Sequence, residues 1–256
     1  MAGDRFEVVC EVEPPTRPDL MHVRHQIGVL SKVASAFLIP DNHIGRATVS
    51  SVAVAHEVEQ MGGRSIACLN ARDRNLLGFR RDLLTAAAYG VDQFLFVYGD
   101  RPTSGARTGQ LTVRSMIEEL RAFPTESGRP FRAGVTGGPG PLPGWKRDAD
   151  FLFSQVRFSL DEMLEWRSQV DFAGPVYAGV MVVPSVAMAR KIGADIQQLA
   201  VPDAWLAAIE RDPSAGVALA CELVEAVRES GAFDGVHLIP VSRYREVAAR
   251  LEASTR

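Results

Sequence analysis

Phe6-Glu7-Val8-Val9-Cys10-Glu11-Val12-Glu13-Pro14-Pro15-Thr16 is the stretch that decides how this chain folds. Phe6–Val12 is apolar and β-branched, as a buried strand should be. Alternation sets Val9, Glu11 and Glu13 on one side and Val8, Cys10 and Val12 on the other. A doubly wound dinucleotide-binding sheet would carry G-x-G-x-x-G directly after this strand. Pro14-Pro15-Thr16 stands there instead, which argues against the open sheet.

Working outward, similar short runs recur at Ser35–Ile39, Arg64–Leu69, Gln93–Tyr98, Phe131–Thr136, Asp150–Val156, Val176–Val183 and Val236–Ile239. Their near-continuous apolar character is that of parallel strands covered on both faces. Helical patterns lie between them, at Thr48–Met61 (stopped by Gly62-Gly63), Asp73–Tyr89 (stopped by Gly90), Val113–Phe123, Leu160–Val170 and Ser185–Ile192. Pro202–Arg211 and Ser214–Ser230 follow the seventh strand, and Tyr244–Glu252 closes the chain. The reading is an α/β fold, a single (β/α)8 TIM barrel in one domain spanning 1–256. The 256 residues suit it, since such a barrel takes ~250. Gly137–Gly144 (GGPGPLPG) reads as an irregular turn over the top of the barrel.

Hydrophobic residues make up 46% and charged residues 23%, which is ordinary for a soluble globular chain. A net charge of -3 argues against a nucleic-acid partner. No 18-residue apolar stretch is present, so no membrane span is expected. The opening Met1–Arg5 lacks a secretory pattern. Cys10, Cys68 and Cys221 have no C-x-x-C spacing, and Cys10 and Cys68 read as small core residues in a reducing cytoplasm. No G-x-S-x-G elbow or Walker A loop occurs. His22 and His25 stand three apart on a helix without an evident third ligand, so no metal is expected; the histidines read as surface or helix-end residues. Oligomeric state is open, a monomer included.

The polar residues that end strands are the candidates for chemistry. Glu11 closes the run Arg5–Cys10, Asp100 follows Gln93–Tyr98, and Gln155 ends Phe151–Ser154. A β/α barrel assembles its site from the carboxyl ends of several strands. Glu11 is either a general acid at the barrel mouth or a solvated carboxylate paired with an arginine, with Glu13 as its neighbouring rival. Asp100, after Gly99, either accepts paired N–H bonds from a planar heterocycle or caps a turn. Gln155 either meets an amide-like ring edge or is satisfied by backbone.

In this order the motifs resemble the methylenetetrahydrofolate reductases. The carrying elements are Glu11-Val12-Glu13-Pro14-Pro15, Gly99-Asp100, Gln155, Gly179–Pro184 and Arg243 in Val241-Ser242-Arg243. The resemblance covers nearly the whole chain. It implies a β/α barrel of one-carbon metabolism and methionine biosynthesis that reduces 5,10-methylenetetrahydrofolate to 5-methyltetrahydrofolate. By position it makes Glu11 the acid that protonates N10, Asp100 a catalytic and pterin-contacting residue, and Gln155 and Arg243 folate contacts. A carboxylate beside the cationic iminium would favour its formation.

The flavin-facing positions depart from that pattern. The family's Thr-Tyr-Gly after the second strand reads Leu38-Ile39-Pro40, and its histidine on the third strand falls at Ser65. Its Leu-Arg-Gly-Asp reads Val97-Tyr98-Gly99-Asp100, and the tyrosine and histidine after the fifth strand have no counterpart in Val135-Thr136-Gly137-Gly138. The family's lysine falls near Gly144, where Lys146 or Arg147 could substitute. The chain therefore resembles the flavin-independent branch: FAD is expected to be absent, and NADH is expected to give hydride directly to the folate. Ser65, Tyr98, Gly137 and Gly138 are the candidate contacts for this nicotinamide dinucleotide, with Arg46 and Arg107 as charge partners and Trp145 as a cover. Three rivals stand beside this reading: an FAD-dependent reductase, a non-catalytic folate-binding barrel, and a barrel enzyme acting on another one-carbon carrier.

Overall fold

The computed structural model describes residues 6–101, 103–124, 130–195 and 199–254. Met1–Arg5, read above for a targeting signal and as the start of the first run, lies outside the described residues. The strands are β1 (Glu7–Glu11), β2 (Ala36–Ile39), β3 (Ser65–Asn70), β4 (Gln93–Val97), β5 (Arg132–Thr136), β6 (Phe151–Val156), β7 (Val176–Met181) and β8 (Gly235–Ile239). Each pairs in parallel with the next, and β8 pairs with β1, so the sheet closes into the expected (β/α)8 barrel. At the seam Val9 lies opposite His237 and Cys10 opposite Leu238.

The helices are α1 (Met21–Leu30), α2 (Ser51–Gln60), α3 (Leu76–Tyr89), α4 (Val113–Ala122), α5 (Leu160–Ser168), α6 (Val186–Asp195), α7 (Asp203–Arg211), α8 (Ala215–Ser230) and α9 (Tyr244–Ser254). Two expected starts move inward for local reasons. Asn75 caps α3 by accepting the Gly78 N–H at 2.8 Å, so that helix begins at Leu76 and not Asp73. Ser50 is extended and ends the loop before α2. Gly90, at φ +74°, stops α3 as expected.

The stretch Gly137–Gly144 is irregular, as its composition implied, and leaves the carboxyl end of β5. It forms most of the return from β5 to β6, where the described chain has only a 3-10 turn (Gly144–Asp148) and no α-helix. Pro139, Pro141 and Pro143 lack the amide hydrogens an α-helix would need.

Alternation along the strands sorts the core into two parts. Val8, Cys10, Phe37 and Phe94 pack outward beneath the helices. Val9, Leu38, Cys68, Phe153 and Tyr177 fill the lumen. Large rings on β6 and β7 need small neighbours. A Cβ on Gly134 would sit 1.9 Å from the Phe151 ring, and one on Gly235 would sit 2.2 Å from the Glu7 carbonyl oxygen and 2.9 Å from Tyr177. At the amino end of the barrel, Tyr177 donates to Glu7 Oε2 at 2.6 Å and Arg64 pairs with Glu7 Oε1 at 2.7 Å, which seals the floor. Burial, then the bond to Glu7, pushes the Tyr177 hydroxyl well above the usual phenol range.

Because backbone and not a flexible tip faces Gly235, Gly235→Ala is expected to strain the β8–β1 seam. Overpacking of this kind costs ~1–3 kcal/mol. A thermal melt of the variant checks it; an unchanged midpoint would show that the seam yields.

Candidate active site

Glu11 ends β1 and faces the lumen with Val9, as alternation required. Its side chain is 13% exposed, and Oε2 lies 3.2 Å from Nε2 of His237, itself 11% exposed. The partner is a histidine, not the arginine considered from sequence. Nε2 is fully enclosed and off the line of a hydrogen bond, so it has no hydrogen-bond partner among the described residues. Such contacts often tighten only when a ligand arrives. The imidazole is edge-on to Phe153 at 5.4 Å, and Phe153 stacks on Tyr177 at 4.9 Å, so the sealed floor fixes the ring plane. His237 corrects the expectation that the histidines sit at surfaces or helix ends. Its signal was available: Gly235, His237 and Ile239 share one side of the last strand.

Cys68 lies in the same lumen, and burial, then the charges of Glu11 and Asp41, push its thiol well above the ordinary range. It is therefore a packing residue. Cys10, Cys68 and Cys221 are all buried free thiols, which agrees with the core role read for the first two.

The rim next to Glu11 is tied together by polar bonds between loops. Asp41, after β2, accepts from the Asn70 N–H at 2.9 Å, from Asn70 Nδ2 at 2.6 Å and from Arg74. Arg74 also donates to Asp82 at 2.8 Å. Gly99 adopts φ +97°, and a Cβ there would lie 2.8 Å from the Asn70 Cβ, so only glycine lets the β4 loop pass this close. Asp100 is exposed, and its Oδ2 accepts the Ile44 N–H at 3.0 Å. That bond holds Ile44 at φ 57°, a costly conformation for a β-branched residue. One oxygen of Asp100 thus serves the loop after β2. Val241, after β8, is likewise left-handed at φ 51°. Strained backbone therefore flanks β1 on both sides, a pattern typical of functional rims.

Gln155 is exposed at the carboxyl end of β6. Between Phe153 and Val156 that strand carries one residue more than β7 opposite, a bulge in which the Ser154 hydroxyl accepts the Gly179 N–H at 2.9 Å. Bulges re-aim side chains near active sites. Tyr98 is also exposed at the mouth, with the Arg107 guanidinium 5.7 Å from its ring centre. Glu13 and Arg46 are exposed.

Three expected contacts, Ser65, Gly137 and Arg243, are placed differently. Ser65 opens β3 at the amino end of the barrel, opposite the mouth, and is buried with its hydroxyl on Glu59 at 2.6 Å. From there it does not reach a ligand at the mouth. Gly137 has given its N–H to the Phe153 carbonyl at 2.8 Å, and a Cβ there would lie 2.4 Å from Trp166; its amide cannot cradle a diphosphate. The Gly138 carbonyl accepts from Trp166 Nε1 at 2.9 Å, which fixes that peptide. Arg243 pairs with Glu246 at 3.1 Å and lines a groove of about 640 Å³ between α8 and α9, outside the barrel wall. Its guanidinium is thus not brought to Glu11. Lys146 donates to the Thr136 carbonyl at 2.6 Å, and burial lowers its affinity for a proton. Arg147 pairs with Asp171 at 3.2 Å. Trp145 is half-buried with Lys146 Nζ 5.5 Å from its ring centre.

The arrangement offers a carboxyl group beside an imidazole in an apolar lumen, a setting for moving a proton to a bound ligand. Among the described residues no group of three or more His, Cys, Asp or Glu could hold a metal ion. None of the described helices is long and apolar enough to cross a membrane.

Fold and site together define a (β/α)8 barrel that gathers its polar groups at the carboxyl ends of its strands. The chain belongs to the methylenetetrahydrofolate reductase family, described as "Methylenetetrahydrofolate reductase", which matches residues 4–254. No curated protein matches the sequence. Among solved structures, an uncharacterized protein from Clostridium thermocellum that "binds two copies of 5-methyl-5,6,7,8-tetrahydrofolic acid" shares 12% identity over 98% of this chain and 96% of its own, with a TM-score of 0.63. DmoA from Hyphomicrobium sulfonivorans shares 9% identity over 98% and 89%, with a TM-score of 0.56. The aminoacrylate-bound form of tryptophan synthase from M. tuberculosis shares 13% over 98% and 94%, at 0.53. At these identities the likeness is one of fold.

Proposed function

We propose that this chain reduces 5,10-methylenetetrahydrofolate to 5-methyltetrahydrofolate with hydride taken directly from NADH. The observation that carries the reading is Glu11, enclosed at the barrel mouth beside His237 in a member of this family. Glu11 gives its proton to N10 as the bond from the bridging carbon to N10 breaks, leaving a cationic iminium at N5. Hydride from the dihydronicotinamide then forms the new C–H bond and leaves NAD+. The Glu11 carboxylate left behind lies beside the cationic iminium, and that attraction favours its formation. Folate binding by the Clostridium thermocellum barrel supports a pterin in a barrel of this shape.

The family implies FAD, and this chain's residues do not fit it. Ser65 stands at the far end of β3, the Gly137 amide is spent on Phe153, and β2 offers apolar Leu38 and Ile39. A dinucleotide diphosphate needs several free donors and positive charges. Direct transfer requires the two reacting carbons to lie roughly 3–3.5 Å apart in one pocket. Tyr98 and Arg107, paired at the mouth, would meet the dinucleotide as ring and charge contacts. The proposed setting is the cytoplasm, with reduced cysteines.

The test is optical. Freshly purified protein is expected to lack a flavin band and to oxidise NADH only when methylenetetrahydrofolate is added. A stoichiometric flavin band would establish the FAD-dependent alternative. Folate binding without any NADH oxidation would establish a non-catalytic folate barrel.

A further inference from the structure

Arg72 follows β3 at the carboxyl end of the barrel, the end that holds Glu11. Its N–H bonds the Tyr98 carbonyl at 3.1 Å, which extends the β3–β4 ladder past the strand ends. The residue is only 4% exposed, yet among the described residues its side chain makes no hydrogen bond. Nε is fully enclosed and unsatisfied, and among the described residues its ion-pair neighbour is Asp73 Oδ1 at 3.6 Å, beyond hydrogen-bond reach. A guanidinium carries five donors, and enclosing even the one at Nε without an acceptor is costly. Arg74, two residues on, shows the ordinary solution: two carboxylates and a carbonyl. Arg72 has no such cage.

The chain that crosses Arg72 supplies a second cation. Thr108 donates its backbone N–H to the Arg72 carbonyl at 3.2 Å, which brings the segment carrying Arg107 alongside. Arg107 has no ion pair among the described residues and lies over the exposed Tyr98 ring. Two arginines without a hydrogen-bonded carboxylate among the described residues, beside an aromatic face at the mouth, suit a ligand that carries both an oxyanion and a flat ring.

We propose that Arg72 is an oxyanion-binding residue of the mouth, satisfied only when a phosphate or carboxylate of a ligand reaches it, with Arg107 as the outer partner. The inference rests on the proposed function for its two sources of oxyanion: the diphosphate of the nicotinamide dinucleotide and the glutamate carboxylates of the folate. Planar bidentate pairing suits either.

Calorimetric titration of the unmodified protein and of Arg72→Leu tests it, with four probes: NADH, reduced nicotinamide riboside, 5-methyltetrahydrofolate and its pteroate lacking glutamate. A bidentate charged contact is expected to be worth ~10- to 100-fold in affinity. Loss of that size for NADH but not the riboside assigns the diphosphate. The same loss for the folate but not the pteroate assigns the carboxylates. Thermal melts run alongside: Arg72→Leu is expected to keep or raise the midpoint, because it removes an uncaged buried charge. Unchanged affinity for all four probes, or a lowered midpoint with binding intact, overturns the proposal. If the unmodified protein binds neither NADH nor folate, the function proposed above fails, and pyrophosphate and glutarate then decide Arg72. A thermal shift with either that Arg72→Leu abolishes upholds the oxyanion site, and no shift refutes it.

Discussion

Glu11→Gln is expected to lower turnover by ~10²- to 10⁴-fold, the range that a positioned acid contributes. The substitution keeps size and hydrogen-bonding reach, so the neighbouring His237 and the apolar lumen stay in place. Folate affinity is therefore expected to remain within a few-fold of the unmodified protein. Steady-state kinetics with NADH and methylenetetrahydrofolate, paired with calorimetry for the folate, separates the two quantities. A fall in kcat with preserved binding is the signature of a group used only in the transition state. Equal turnover would remove Glu11 from the chemistry and leave the lumen carboxyl as a binding group.

Arg74→Met should be the most damaging change outside the lumen. Burial opposes the Arg74 charge, but Asp41 and Asp82 outweigh it and hold the guanidinium above its ordinary range. Asp41 is 4% exposed at the side chain, so the methionine would strand a carboxylate that Asn70 alone must satisfy. Removing one partner of such a buried pair costs ~3–5 kcal/mol. In a chain of this size that is a drop in Tm of roughly 10 °C. Differential scanning calorimetry measures it, and Asp41→Asn added to Arg74→Met should return part of the loss. A melt unchanged by Arg74→Met would mean that the rim is held by backbone contacts alone. Arg72 and Arg74 thus make opposite predictions from neighbouring positions, because one is caged by acids and the other is not.

The strands were legible because each is a short apolar run that must be covered on both faces. Their order was legible because helical patterns separate them. Glu11 was legible in part: alternation puts it on the side of Val9, while its enclosure, as against a solvated strand end, depends on the closed barrel. For His237 the side of the strand was legible in the same alternation, but its partner was not, since that depends on β8 closing against β1, a contact between residues 9 and 237 that no local window contains. Arg72 was invisible for a related reason, as an arginine in a loop reads as solvated until its burial is known. Ser65 stands second in its run, Arg64–Leu69, and strand direction alone puts it at the far end, away from the family position it matches. Arg243 and Gly137 were misplaced because their roles turn on side-chain direction and on which carbonyl claims an amide. Sequence spacing encodes neither.

The closure of the base by Glu7, Arg64 and Tyr177 has a kinetic corollary. With side chains packing the axis above that base, the ligands of the proposed reaction would reach Glu11 only from the carboxyl-end mouth, so two of them would have to share one entrance and load in sequence.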